Sequence, residues 1–143
     1  MSIDTIRDDF SVLDDWEDRY RYIIELGRTL EPLDEAAKTD TVKVRGCASQ
    51  VWLISSLEHD RPGAPGKLHF KGDSDAHIVR GLIAILLAIF NDHTPQDVLA
   101  TAPEEVFEEL GLKSHLTPQR SNGLVAMVGR IRRDAELALG SAE

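Results

Sequence analysis

Apolar residues recur at three- and four-residue steps early in the chain, at Leu13, Trp16, Tyr20, Ile23 and Ile24, with charges filling the positions between. That spacing predicts an amphipathic helix, and Gly27 suits a place just past its end. Over LEPLDEAAKTD (30–40) the period is lost, and the acidic residues and Pro32 predict a solvent-facing loop. The period then shortens to two. TVKV (41–44) alternates with its valines on one face, VWLIS (51–55) is β-branched and aromatic, and KLHFK (67–71) sets Leu68 and Phe70 against polar neighbours. All three read as strands. The turn-rich EHDRPGAPG joins the last two. An antiparallel meander is expected, with RGCASQ (45–50) at the tip between its first two strands.

The remainder has helical spacing. DSDA (73–76) offers caps in Asp73 and Asp75. HIVRGLIAILLAIF (77–90) is apolar almost all round, as a central buried helix would be. TPQDVLAT (94–101) has a Thr cap and Pro at the first helical position. APEEVFEELGL repeats the pattern and ends near Gly111. The last segment, from Leu116 to Leu139, opens at Thr117-Pro118 and carries a stripe of Leu124, Met127, Val128, Ile131 and Ala135. There are no repeats and no low-complexity tracts. The pattern therefore predicts one α+β domain over residues 1–143, a three-stranded antiparallel sheet packed by helices.

Charge narrows the partners. A net charge of -9 disfavours nucleic acid and anionic membrane surfaces, and would steer in a partner with a basic patch. MSIDTIRDDF has no apolar core of the kind a signal peptide needs. The longest uncharged stretch, Gly81 to Asn91, is too short to span a bilayer. The single cysteine cannot form an internal disulfide. A cytoplasmic location is expected, where a free thiol stays reduced.

That cysteine, Cys47, is the leading chemical candidate. Free cysteine is often buried filler, yet Gly46, Arg45, Ser49 and Gln50 make this a turn, and a nearby arginine would favour the reactive thiolate. From these residues alone both readings stay open. A cysteine hydrolase would need an oriented histidine base. None of His59, His69, His77, His93 and His115 has a protease context, and His77 reads as a solvated first-turn residue. Metal binding lacks paired Cys or His ligands, and no Gly-rich phosphate loop appears. Asp73 and Asp75 would cap the long helix or pair with Arg120, a cation placed against the macrodipole in the first turn of its helix. Trp52 and Trp16 read as core aromatics.

Four blocks in order, WEDRYRYIIELG (16–27), GCASQVW (46–52), GDSDAHIVRGLIAIL (72–86) and HLTPQRSNGLVAM (115–127), closely resemble the SufE family of sulfur acceptors. They cover most of the chain from about Phe10 to Ile131. Two features depart from the pattern: Ala48, where the family often has Gln, and a long EHDRPGAPGK connection. The resemblance implies a SufE/IscU-like fold. It also implies that Cys47 accepts sulfane sulfur from a PLP-dependent cysteine desulfurase of the SufS or CsdA type. The chain would stimulate that enzyme and pass the sulfur to an Fe–S scaffold such as a SufB-like protein. No cofactor of its own is implied, PLP belonging to the desulfurase, and a weak homodimer remains compatible. Asp75 and Arg120 match family positions near the thiol or the partner surface. Gly46, Ser49, Gln50, Trp52, Asp73 and His77 join them as supporting residues, and Trp52 with its neighbours is expected to shelter the resting thiol until a partner swings the loop out. The alternative is a non-catalytic module that activates a desulfurase without carrying sulfur.

Overall fold

The computed structural model describes residues 2–47 and 49–142. Ala48 lies outside the described residues. Helix α1 (Ile3–Ser11) is followed by α2 (Trp16–Gly27), a 3-10 turn (Glu35–Ala37), and strands β1 (Val51–Glu58) and β2 (Lys67–Ser74). Helices α3 (His77–Phe90), α4 (Pro95–Ala100), α5 (Glu104–Glu109), α6 (Leu112–His115) and α7 (Pro118–Ala142) complete the order.

β1 and β2 pair antiparallel from Val51↔Ser74 to Glu58↔Lys67. Val51, Leu53, Leu68 and Phe70 are buried on the face turned toward the helices, and α3 packs on β2, α2, α1 and α7. The expected buried helix covers the same fourteen residues as α3, with Ile85 and Phe90 fully buried. The stripe on α7 is also buried at all five positions. Thr117 and Thr94 cap their helices as expected, accepting hydrogen bonds from the backbone N–H of Arg120 and Asp97.

Among the described residues the sheet has two strands, not three. TVKV curls into a turn: the N–H groups of Val42 and Lys43 donate to Thr39 and Asp40 carbonyls at 3.3 Å. Only a remnant of the third strand survives, an isolated bridge Lys43↔Trp52. Two bonds flank it, Val44 N–H to Val51 O at 2.8 Å and Leu53 N–H to Val42 O at 2.9 Å. The aspartates do not cap α3 either. β2 runs on through Asp73 and Ser74, and Ala76 occupies the cap position without a side-chain bond. The Ser74 hydroxyl instead accepts from the Ala76 N–H at 3.2 Å.

Helix α1 escaped the periodicity argument, although Ser2 caps it and Ile6 and Phe10 bury its inner face. Leu13 belongs to the corner after it, where the Arg19 guanidinium donates to the Leu13 and Phe10 carbonyls at 2.8 and 3.1 Å. Gly27 is the last residue of α2 rather than the residue beyond it. Its role is proximity, because a Cβ there would stand 2.9 Å from Arg80 Cβ on α3. At Gly81 the same crossing is closer still: an added Cβ would run into the Ile23 carbonyl oxygen and stand 2.5 Å from Ile23 Cγ2. α2 and α3 therefore meet backbone to backbone. Among the described residues no helix is long and apolar enough to cross a membrane.

Candidate functional site

The loop leaving Val44 carries Cys47 and rejoins the sheet at Val51. Gly46 takes φ 90, a left-handed conformation that side chains disfavour, and a Cβ on it would stand 3.3 Å from Ala126 Cβ on α7. The chain thus bends close over α7, and Cys47 is half-buried with its Sγ 3.7 Å from the Gly123 carbonyl oxygen. A thiol is a weak donor, so this contact orients the sulfur more than it holds it. The walls beside Sγ are Val79 and Leu82 of α3 with Gly123 and Met127 of α7, and Ser49, Gln119 and Arg120 complete the border.

Electrostatics reverse one expectation. Arg45 is exposed, and burial pushes the Cys47 thiol above its ordinary range. Desolvation disfavours the anion, so the resting thiol is protonated. In the free protein, alkylation of Cys47 should therefore keep accelerating with pH past the ordinary thiol value of about 8.5 before it levels off. Because the folded thiol holds its proton more tightly than the unfolded one, its contribution to stability is complete below that value and fades as pH rises through the shifted one. A pH–rate profile of iodoacetamide labelling checks this, and an inflection at or below the ordinary value would contradict it.

The downstream root of the loop is clamped by Asp75. Its Oδ1 accepts the Gln50 backbone N–H at 3.0 Å, Oδ2 accepts Gln50 Nε2 at 3.4 Å, and its own N–H donates to the Gln50 carbonyl at 3.3 Å. Arg120 does not pair with either aspartate. Its Nη1 donates to the Tyr20 hydroxyl at 3.4 Å while its side chain borders the cavity. Asp73 is engaged elsewhere, by Lys38 Nζ at 3.2 Å and Arg80 Nε at 3.1 Å, and it accepts the Ser74 N–H at 2.8 Å.

The fold thus gathers Gly46, Cys47, Ser49, Gln50, Asp75 and Arg120 at one end of β1 and sends three candidates elsewhere. His77 is exposed at the start of α3 and does not border the cavity. Trp52 is half-buried, alternating out of the face that holds Val51 and Leu53, with the Lys38 ammonium 5.1 Å from its ring centroid. It is neither core nor shelter. Strand alternation decides this, since neighbours of a buried position point the other way. Trp16 packs against the core and stacks on His115 with centroids 4.1 Å apart. The true walls, Val79, Leu82, Gly123 and Met127, read in the sequence only as helix core. Their one signal was Gly123, an isolated glycine inside a helical pattern. Among the described residues no group of three or more His, Cys, Asp and Glu is placed to hold a metal ion.

The chain matches the SufE family model, an Fe–S metabolism associated domain, over residues 4–135. It is 52% identical over 136 residues to an uncharacterized SufE-like protein of Rhizobium etli, covering 95% of this chain and 90% of that one. A SufE-like protein of Rhizobium meliloti is 49% identical over 135 residues, covering 94% and 95% of the two chains. The solution structure of a hypothetical protein from Thermus thermophilus superposes with a TM-score of 0.74 over 98% of this chain and 99% of that one. At 21% identity that likeness speaks for the fold alone. The family model spans nearly the whole chain, and the lone thiol lies in the loop that carries the motif: the chain belongs to the SufE family of Fe–S metabolism proteins.

Proposed function

We propose that this protein accepts sulfane sulfur on Cys47 from the persulfide of a PLP-dependent cysteine desulfurase, stimulates that enzyme, and passes the sulfur to an Fe–S cluster scaffold. The observation that carries the reading is the placement of Cys47. It is the only cysteine in the chain, it sits on a bent loop at the end of a short sheet, and its sulfur lies against a small apolar cavity.

The chemistry is an exchange. The Cys47 thiol gives its proton to solvent, and the thiolate attacks the outer sulfur of the partner's R–S–SH group. The partner's S–S bond breaks and its thiolate leaves, so Cys47 becomes the persulfide with no net oxidation. With no second cysteine in the chain, nothing internal can discharge the product as a disulfide. A docked, protonated thiol is a poor nucleophile, so partner binding must lift the loop away from α7. Release costs the Gly123 contact and the apolar walls, while the Asp75 clamp holds the downstream root. PLP stays with the desulfurase, and Cys47 needs no cofactor of its own for this exchange.

Incubation with a cysteine desulfurase and cysteine, followed by intact mass measurement, should show a gain of one sulfur or more on the chain. Hydrogen exchange in the same mixture should rise over residues 45–50. An unchanged mass would reject the carrier role, and unchanged exchange alongside a mass gain would reject the loop movement.

A further inference from the structure

The cavity beside Cys47 Sγ has a volume of about 20 Å³. A single water-sized group needs roughly 10–15 Å³, so the space is about the size of one such group. It is open because residue 123 has no side chain. A Cβ on Gly123 would stand 3.5 Å from Cys47 Sγ and 3.8 Å from both Cys47 Cα and Cβ, which is ordinary contact distance. The docked loop with a bare thiol tolerates that methyl group. An outer sulfur bonded to Sγ does not, because a methyl and a sulfur atom are of similar size and would compete for the same space.

Resting on the carrier reading above, we infer that Gly123 makes the docked site specific for a monopersulfide: one outer sulfur is seated between Gly123 and the apolar walls, and longer sulfur chains hold the loop out. Gly123 is thus a positioning residue that sets how many sulfur atoms travel protected. Its effect is confined to the loaded protein, since the unloaded loop docks with or without the extra methyl. The glycine is otherwise costly inside a helix, where alanine is preferred, and among the described residues the three atoms nearest its Cβ position all belong to Cys47.

The test loads the intact chain with inorganic polysulfide, so it does not depend on any desulfurase. The Cys47 thiolate attacks a terminal or an inner sulfur, the S–S bond on the far side of that sulfur breaks, and the shortened polysulfide leaves, so one or more sulfur atoms are transferred. After desalting, dithiothreitol is added and the masses are followed. Its first thiolate takes the outer sulfur and frees Cys47, its second thiol closes the ring disulfide, and hydrogen sulfide leaves. In the wild-type protein the one-sulfur form should persist while longer forms shorten rapidly. In Gly123→Ala the one-sulfur form should discharge about tenfold faster, the loss expected when the protected population is displaced by that factor. Iodoacetamide labelling of its unloaded thiol should stay within about twofold of wild type, with a melting temperature no lower than wild type, as the unstrained contact requires. Val79→Ala, which enlarges the same space, should lengthen the life of the two-sulfur form. Equal discharge of the one-sulfur form in wild type and Gly123→Ala overturns the inference. So does a wild-type protein whose two-sulfur form is as persistent as its one-sulfur form, or one that retains no sulfur. Failure to receive sulfur from a desulfurase, with these differences intact, would reject the carrier reading alone.

Discussion

Gly81→Ala should lower the stability of the protein by about 3 kcal/mol or more, at the upper end of overpacking penalties, and its melting temperature by roughly 10 °C for a chain of this size. The sign opposes helix propensity, which favours alanine over glycine by roughly 1 kcal/mol in a helix interior. Gly81 lies inside α3 and is buried, and an added Cβ collides with the carbonyl oxygen and Cγ2 of Ile23 on α2. The carbonyl belongs to a hydrogen-bonded helix backbone and cannot rotate aside, so α2 and α3 must separate. That separation loosens the apolar contacts of Ile23, Leu26, Leu82 and Ile85, all essentially buried. Gly129→Ala on α7 is the control. Nothing stands within 4 Å of its Cβ position, so propensity acts alone and the change should stabilise by about 0.5–1 kcal/mol. Chemical denaturation of the two variants reads both signs, and a neutral Gly81→Ala would contradict the backbone contact.

Cys47→Ser should abolish sulfur acceptance while leaving the fold within about 0.5 kcal/mol of wild type. The hydroxyl is smaller than the thiol and can donate to the Gly123 carbonyl in its place. It does not ionise near neutral pH and is no nucleophile toward a sulfane sulfur, so the intact mass should show no gain where the wild-type chain gains roughly one sulfur by exchange. Stimulation of the desulfurase should disappear with it, because turnover then has no acceptor to empty the enzyme's persulfide. Stimulation that survives at wild-type level without any mass gain would instead establish a regulatory module that activates by binding. A mass gain surviving the substitution would place the sulfur elsewhere in the chain.

The long elements were legible in the sequence because local composition and period decided them. Apolar spacing recovered the inner stripe of α7 and part of β2, an apolar run recovered α3, and β-branched and aromatic content recovered part of β1. Where local hydrogen bonding competes with pattern, it failed. TVKV alternates like a strand, yet the Thr39 and Asp40 carbonyls capture the N–H groups a ladder would need. DSDA reads like a cap, yet Asp73 is drawn to Lys38 and Arg80, and Asp75 to the Gln50 peptide. Of the site, the loop residues were legible because turn chemistry is local. Its walls were not, because Gly123 lies 76 positions from Cys47 and only the packing of α7 against α3 brings them together. Trp52 shows the opposite error: a large aromatic beside a buried strand position suggests core, but alternation aims it outward.

The remnant of the third strand sets how far the thiol can travel. Cys47 lies three residues beyond Val44, and Val44 is tied to Val51 by one backbone hydrogen bond. With that tie intact, the three residues from Val44 to Cys47 span at most about 10 Å when fully extended. A donor sulfur must come within that radius of the sheet's end, or the two bonds at Val42 and Val44 must open. Each is worth only about 1 kcal/mol net, so the tether lengthens at small cost, releasing chain back toward the 3-10 turn at Glu35–Ala37. A full ladder at this edge would have fixed the radius. Two bonds leave it adjustable, so on the carrier reading the same cysteine has a short reach and a longer one.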